Sequence, residues 1–288
     1  MSKKLFALLG KVKIGDQYPV RTVGVINVGP ESFYQGSIRL TPDKILQLAW
    51  EHKDNGASII DVGGASSAPA SVYSGVKEVG VSQELERIKM AFQALKSGDL
   101  KIPLSVDTQN NEVAEMALSS GASIVNDISG LKRDPKMAQV VANYEASLVL
   151  MATQKRPGDV KTIEEAKTAL RESIHLAKTA DIDPKRMVID PSIGAWDGRD
   201  YRIDLMFLKN LTHFRTLGYP LFVAISRKSF IGQITGIQDP RKRLIGSIAA
   251  TAIAVFNGCH IVRTHDVKET MEAIQVAEAL RDSLQEDF

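Results

Sequence analysis

Eight short apolar runs, each followed by an amphipathic stretch, are the feature of this sequence that most limits its fold. The runs are rich in β-branched residues and cover residues 22–27, 58–62, 102–107, 123–127, 147–151, 187–190, 219–226 and 260–265. Strands that alternate with helices run parallel, because each helix returns the chain to the same edge of the sheet. Eight such units predict an α/β protein with a (β/α)8 TIM barrel as a single domain, and an open doubly wound sheet is the alternative.

The predicted helices are the amphipathic stretches between and after these runs. They cover residues 41–55, 82–97, 110–119, 135–144, 162–179, 204–217, 240–257 and 267–284. The first begins with Thr41 and Pro42, a capping residue followed by a proline suited to the first helical turn. No shift in composition suggests a linker. We therefore expect one barrel domain over residues 21–288, after a lead-in over residues 1–20 with room for a short hairpin.

Composition and charge exclude several classes of protein. The formal net charge is +2 over 288 residues, so no overall field favours nucleic acid or a membrane surface. The single cysteine, Cys259, excludes an internal disulfide and metal sites built from several cysteines. The first residues carry two lysines and an apolar run too short for a signal peptide, and no segment approaches ~18 unbroken apolar residues. We expect a cytoplasmic protein that binds neither nucleic acid nor membranes.

Polar residues follow the apolar runs at a consistent place, the carboxyl end of each predicted strand. They are Asn27, Asp61, Asp107, Asn126, Asp127, Asp190, Ser226, Lys228, Arg263 and His265. In a barrel these ends meet on one face, where enzymes with this architecture build their sites. Each Asp or Asn could instead cap the helix that follows it. The recurrence over many strands favours a shared site.

The seven residues from Ser226 to Gly232 concentrate charge at the end of a buried strand. Arg227 and Lys228 stand between two serines there. Burial of an uncharged polar group without a partner costs roughly 2–7 kcal/mol, and burial of an unpaired charge costs more. Two cations at this place therefore indicate an anionic or electron-rich ligand. The alternative is a solvated turn.

Two other features suit parts of a phosphorylated heterocycle. The glycines and serines of residues 61–70 expose backbone amides and hydroxyls to a phosphate, and Arg263 and His265 point to one face of their strand. Asp107, Asn126 and Asp190 come from three strands and can pair with the N–H groups of an aminopyrimidinone ring. Considered without Arg263, His265 is more typical of a structural hydrogen bonder than of a ligand contact. The loops at 28–40 and 63–82 are long enough to act as lids.

Seven motifs in order carry a resemblance over nearly the whole chain. They are NVGPESF at 27–33, DVGGASSAPA at 61–70, SVDT at 105–108, GASIVNDISG at 121–130, DPSIGAWDG at 190–198, SRKSFIG at 226–232 and RTHDV at 263–267. With them the chain resembles the dihydropteroate synthases of the pterin-binding TIM-barrel family, although it diverges in the diphosphate and arylamine loops.

The resemblance implies a role for each matching residue. The implied pterin contacts are Asp107, Asn126, Asp190 and Lys228. The implied diphosphate contacts are Asn27, Ser66, Arg263 and His265, with Mg²⁺ as cofactor and Asn27 as its protein ligand. The implied arylamine contacts are Ser67, Pro69, Ser229 and Trp196. The residues implied to carry catalysis are Lys228, Asp107, Arg263 and His265.

The implied reaction joins 6-hydroxymethyl-7,8-dihydropterin diphosphate to p-aminobenzoate and releases pyrophosphate, a step of folate biosynthesis. Such an enzyme needs stabilisation of the leaving diphosphate, carboxylates facing the positive ring, and exclusion of water by closed loops. The resemblance also implies small-molecule partners only, and a homodimer.

Five positions depart from the family pattern. Ala65 and Ala68 replace a glutamate and an arginine of the second motif, and Ala152 replaces a histidine after the fifth strand. In the fifth motif Ala195 replaces a phenylalanine that contacts the arylamine, and Asp197 replaces a lysine. The diphosphate and arylamine ends of the site are therefore altered.

Three readings follow from these departures. The first is a synthase with a divergent arylamine pocket, in which Trp196 supplies the aromatic wall. The second keeps the chemistry but takes a larger, ribosylated arylamine of the methanopterin type. The third is a pterin-binding homologue without synthase activity, either a non-catalytic partner or a methyltransferase-like protein.

Overall fold

A parallel sheet of eight strands lies at the centre of the molecule, with each predicted apolar run supplying one strand. The structure, a computed structural model, describes residues 4–29, 41–65, 79–194, 196 and 199–286. A hairpin of β1 (Phe6–Leu9) and β2 (Val12–Gly15) precedes the sheet. The sheet strands are β3 (Arg21–Asn27), β4 (Ile59–Gly63), β5 (Leu104–Asp107), β6 (Ile124–Asp127), β7 (Ser147–Met151), β8 (Met187–Asp190), β9 (Phe222–Val223) and β10 (Ile261–Thr264).

The eight strands close into a barrel, which confirms the predicted fold class. Strands β3 to β8 pair in sequence order, and β10 pairs with both β3 and β9. A parallel bridge between Ile189 and Leu221 joins β8 to β9, and the Ile189 amide donates to the Pro220 carbonyl at 3.0 Å. An open sheet would leave these two edges apart, so the doubly wound alternative is wrong.

Helices surround the barrel. They are α1 (Pro42–Asp54), α2 (Val81–Ser97), α3 (Asn111–Ser119), α4 (Met137–Asn143), α5 (Ile163–Thr179), α6 (Tyr201–Lys209), α7 (Ser229–Thr235), α8 (Leu244–Phe256) and α9 (Val267–Glu286). Thr41 caps α1 as predicted, with its hydroxyl accepting from the Lys44 amide at 3.3 Å. Thr162 and Glu165 form a capping box at the start of α5. None of the described helices is long and apolar enough to cross a membrane.

The chain from residue 204 to residue 235 differs from the prediction in three ways. The predicted helix over 204–217 is α6 followed by a 3₁₀ helix over Leu211–Leu217. The predicted strand over 219–226 shortens to the two residues of β9, and the chain turns farther on at Arg227, whose φ is +59°. Helix α7 was not predicted, since its seven residues contain Gly232 and show too little periodicity.

The hairpin fills the amino end of the barrel. Ala7, Leu9 and Ile14 are almost fully buried in one cluster with residues from the inner face of the strands. The Ser147 hydroxyl fastens the turn, since it accepts from the Gly10 amide and donates to the Leu8 carbonyl, both at 2.9 Å. A second and larger core lies between barrel and helices. With the amino end filled by side chains, the carboxyl end is the open face.

Candidate active site

The strand register assembles the predicted polar residues at the carboxyl end of the barrel. Asn27 lies opposite Gly63, Gly63 opposite Asp107, and Asp107 opposite Asn126, in one row across β3 to β6. Asp190 ends β8 in the same way. Parallel strands with matching register bring side chains that are far apart in the chain to one rim, as the motif pattern predicted.

Arg263 lies between the buried carboxylate of Asp61 and the partly buried carboxylate of Asp107. Its Nε donates to Asp61 Oδ2 at 2.6 Å, and its Nη2 donates to Asp107 Oδ2 at 2.7 Å. Burial alone would lower the pKa of Arg263, but these carboxylates raise it above its ordinary value. Asp61 also lies 3.4 Å from Asn126 Nδ2, and its second oxygen has no hydrogen-bond partner in the described part of the chain. The arginine, both acids and the amide therefore form one network.

Asp107 and Asp190 are carboxyl groups whose pKa values are raised toward neutral pH. Burial raises the pKa of Asp107 to about 7, although Arg263 lowers it. Burial likewise raises the pKa of Asp190 to about 6, against the Ser192 amide that donates to Asp190 Oδ1 at 2.7 Å. Asp107 does not cap α3, whose N-cap is Asn110. Asp127, by contrast, accepts from the Ser129 and Leu131 amides and is a structural turn residue.

Lys228 enters the pocket from the opposite side, just before α7. Its Nζ lies 5.2 Å from the centroid of the Trp196 ring, and Gly194 leaves it room, since a Cβ there would lie 3.1 Å from Nζ. Burial lowers the pKa of Lys228. Arg227 points away from the pocket and donates to Asp266 Oδ2 from Nε at 2.8 Å. Of the two adjacent cations, only Lys228 faces the acids.

His265 and Asn27 form a second polar pair on the rim. His265 Nδ1 lies 3.0 Å from Ser226 Oγ, and its Nε2 lies 3.4 Å from Asn27 Nδ2. Burial, together with the nearby positive charge of Arg263, lowers the pKa of His265 to about 3. The imidazole is therefore neutral at physiological pH, so it can hydrogen-bond an anion without adding positive charge.

A buried ion pair that the sequence reading missed supports the loop after β8. Arg199 and Asp204 form a salt bridge with side chains only 1% and 3% exposed, and Arg199 also donates to the Ser192 carbonyl. Asp204 Oδ1 accepts from the Gly194 amide at 3.0 Å. The pair thus fixes the backbone at Ser192 and Gly194, in the loop that follows Asp190. Asp204 lies in the first turn of α6, so its only local signal is that of an ordinary helix-start acid.

Several predicted residues lie outside the described part of the chain. These are Ser66, Ser67 and Pro69, together with Ala68, Ala195, Asp197 and most of the two predicted lid loops. Ser229, the first residue of α7, is half-buried beside Lys228. Asp61 has no role among the predicted site contacts, and no local pattern indicates its partner Arg263, which is 202 residues away.

Comparison with known proteins places these features in a wider group. The sequence model of the pterin binding enzymes matches residues 23–265. The dihydropteroate synthase of Bacillus subtilis is 36% identical over 258 residues, which are 90% of this chain and 87% of that relative.

Solved structures give the same likeness in three dimensions. The dihydropteroate synthase of Clostridium difficile, in the presence of pteroic acid, superposes with a TM-score of 0.81 at 36% identity, covering 91% of this chain and 97% of its own. That of Xanthomonas albilineans with 4-aminobenzoic acid has a TM-score of 0.84 at 31% identity, covering 97% and 99%.

Proposed function

The chain belongs to the pterin-binding enzyme family, and on this premise we propose that it is a dihydropteroate synthase. It condenses 6-hydroxymethyl-7,8-dihydropterin diphosphate with p-aminobenzoate and releases pyrophosphate, a transferase reaction of folate biosynthesis. The observation that carries the proposal is the pocket itself: the buried Asp190 and Asn126 and the partly buried Asp107 and Lys228 converge at the carboxyl end of the barrel.

We assign the pterin ring to Asp107, Asn126, Asp190 and Lys228. A carboxylate accepts parallel N–H bonds from an aminopyrimidinone, and an amide can satisfy one donor and one acceptor of the same ring. The burial of Asp107 and Asp190 supports this assignment, because buried acids without such partners would be destabilised in their charged form. Lys228 donates to the ring from the other side.

The reaction replaces a C–O bond of the pterin methylene with a C–N bond. The C–O bond between the pterin methylene and the diphosphate breaks, and its electron pair leaves on pyrophosphate. The arylamine nitrogen then forms a C–N bond to the methylene, and the proton that this nitrogen gives up passes to water. Asp107 and Asp190 stabilise the positive charge that spreads into the ring, so no covalent intermediate on the protein is needed.

We assign the diphosphate to Asn27, Ser66, Arg263 and His265. Arg263 has five N–H donors, and two of them serve Asp61 and Asp107, so the guanidinium can bridge the pterin acids and the leaving group. His265, being neutral, contributes a hydrogen bond. The arylamine is assigned to Ser67, Pro69, Ser229 and Trp196.

Magnesium belongs to this proposal as a companion of the diphosphate, and Asn27 would hold it. The space beside the Asn27 amide oxygen suits an ion, because Gly63 leaves it open: a Cβ there would lie 3.2 Å from Oδ1. Mg²⁺ often takes one or two protein oxygens and fills its shell with phosphate and water. Among the described residues, no cluster of three or more His, Cys, Asp or Glu could hold a metal alone. When bound, the ion neutralises charge on the leaving group.

A homodimer and a cytoplasmic location complete the proposal. The surface that supports a dimer is apolar and exposed on α8 and α9, where Ile245 is 85% and Val276 is 71% exposed. Helices on the outer ring of a barrel are free to pair without disturbing the carboxyl-end site. Sedimentation of the purified protein would test this, and a monomer at micromolar concentration would count against it.

Pyrophosphate release tests the proposed reaction directly. With pterin diphosphate and p-aminobenzoate we expect equal amounts of pyrophosphate and dihydropteroate, with no release when the arylamine is omitted. Turnover with a ribosylated arylamine alone would favour the methanopterin-type substrate. Pterin binding without turnover of either amine would favour a non-catalytic homologue, and Asp190→Asn serves as the inactive control.

Pterin affinity is expected to fall as the pH drops from about 7 to about 5. The pKa values of Asp107 and Asp190 are raised by burial to about 7 and about 6, so both acids take up protons over this range. A protonated carboxyl loses acceptor capacity for the ring N–H groups, and the dissociation constant rises as much as about tenfold per pH unit for each acid. Calorimetric titration from pH 5 to 8 measures it, with a ligand-only titration as control. A pterin affinity that does not change between pH 5 and 8 would contradict the assignment.

A further inference from the structure

The Trp196 ring lies against the ammonium of Lys228. None of the described acids of the pocket forms a salt bridge with that ammonium. We propose that Trp196 is a positioning residue for Lys228: its indole face holds the partly buried ammonium in place and keeps it charged for the pterin. This inference rests on the proposed function, in which Lys228 binds that ring. Trp196 also follows position 195, where the family has its arylamine contact, so one side chain would link the pterin and arylamine parts of the site.

The distance and the burial of the pair support a cation–π contact. Lys228 Nζ lies 5.2 Å from the Trp196 ring centroid, inside the ~6 Å range over which a ring attracts a cation. Trp196 is only 6% exposed and belongs to an apolar cluster with Ile128 and Met151. In such a water-poor setting the attraction is stronger than on a surface.

The indole is held in place independently of the lysine. Its Nε1–H donates to the Ser192 carbonyl at 3.1 Å. Gly158, in the loop after β7, has a φ of +85°, and a Cβ added there would lie 2.3 Å from Trp196 Cβ. The loops after β7 and β8 therefore fit together around this ring, and these contacts hold it without any contribution from the lysine.

The charges around Lys228 explain why an aromatic face matters there. Burial lowers its pKa, and Arg263 on β10 lowers it further. Asp190 on β8, Asp107 on β5 and Asp204 on α6 raise it, yet no carboxylate in the described ranges forms a salt bridge with Nζ. Asp204 is moreover committed to Arg199, and Asp107 to Arg263. Trp196 supplies a favourable contact that needs no further buried charge.

Tryptophan fluorescence tests the contact without any substrate. The chain has two tryptophans, and the other, Trp50, lies on α1 away from the site. In a Trp50→Phe background the emission therefore reports Trp196 alone. We expect the emission to change with rising pH as Lys228 loses its proton, and this change should be absent in Lys228→Met. An identical pH response with and without Lys228 would overturn the proposal.

Leucine and phenylalanine at position 196 separate the ring face from simple packing. Trp196→Leu keeps an apolar side chain but removes the π face, so the lysine loses its proton more easily. We expect the alkaline limit of pterin binding to move down by about one pH unit, with Trp196→Phe between Leu and the native protein. Equal behaviour of the Leu and Phe variants, with the limit unmoved, would show a packing role only.

Gly158→Ala supplies a second route if the leucine variant fails to fold. It leaves Trp196 and Lys228 in the chain and displaces the indole, so it should move the alkaline limit in the same direction. An unchanged limit in a folded Gly158→Ala protein would count against the proposal. The fluorescence result is independent of turnover: a Lys228-dependent titration in a protein that releases no pyrophosphate would overturn the proposed function alone.

Discussion

Replacement of Lys228 by alanine is expected to weaken pterin binding by about 10- to 100-fold, the range that one hydrogen bond to a charged group supplies. Two losses act together. The ring loses a donor, and Asp107 and Asp190 lose a nearby positive charge that lowers their pKa values. With that cation gone, the acids hold their protons to higher pH and accept fewer bonds from the ligand.

Calorimetry with the pterin measures this loss, and Asp197→Ala is the comparison. Asp197 stands where the family has a lysine, in the altered loop, and lies outside the described residues. We expect its replacement to affect pterin binding less than that of Lys228. Equal effects would mean that the pocket is assigned to the wrong residues. An exposed lysine on α6, Lys209, provides a control for the loss of a charge alone.

Replacement of Arg199 by methionine is expected to lower the free energy of unfolding by about 3–5 kcal/mol, because Asp204 is left buried without its cation. The Gly194 amide alone cannot compensate for the lost guanidinium. The same change releases the Ser192 carbonyl, which also anchors Trp196. Pterin binding should therefore weaken in any folded fraction of the variant.

Urea denaturation measures this effect as a lower midpoint at unchanged slope. The double variant Arg199→Met with Asp204→Leu removes both charges, and we expect it to recover most of the lost stability. Arg202→Met is the matched control, since Arg202 pairs with Asp200 at 3.1 Å on the surface and should cost less than about 1 kcal/mol. A single Arg199 variant as stable as this control would contradict the role given to the pair.

The sequence predicted the barrel because its signals are local. Each strand is a short apolar run and each long helix has its own periodicity, so both can be read from consecutive residues. The carboxyl ends of the strands can be aligned from topology alone, which places Asp107, Asn126 and Asp190 at one rim. Helix α7 could not be predicted, because its seven residues, about two turns that include Gly232, are too few for a period to appear.

The partners within the site could not be predicted in the same way. The contacts of Arg263 with Asp61 and Asp107 span 202 and 156 residues, and no local pattern records which acid an arginine will reach. The neutrality of His265 follows from burial, which is a property of the whole fold. The sequence predicts an anion site at His265, but it does not show whether the imidazole is charged.

Period, order and chain direction are enough to predict the eight parallel strands, the end of the sheet where the polar residues gather, and the residue types found there. Closure of the barrel and the pairing of those residues required the folded chain: Arg263 lies between two acids, Arg199 pairs with Asp204, and Lys228 lies against Trp196. Pairing energies depend on distance and desolvation, and both are set only when remote segments meet.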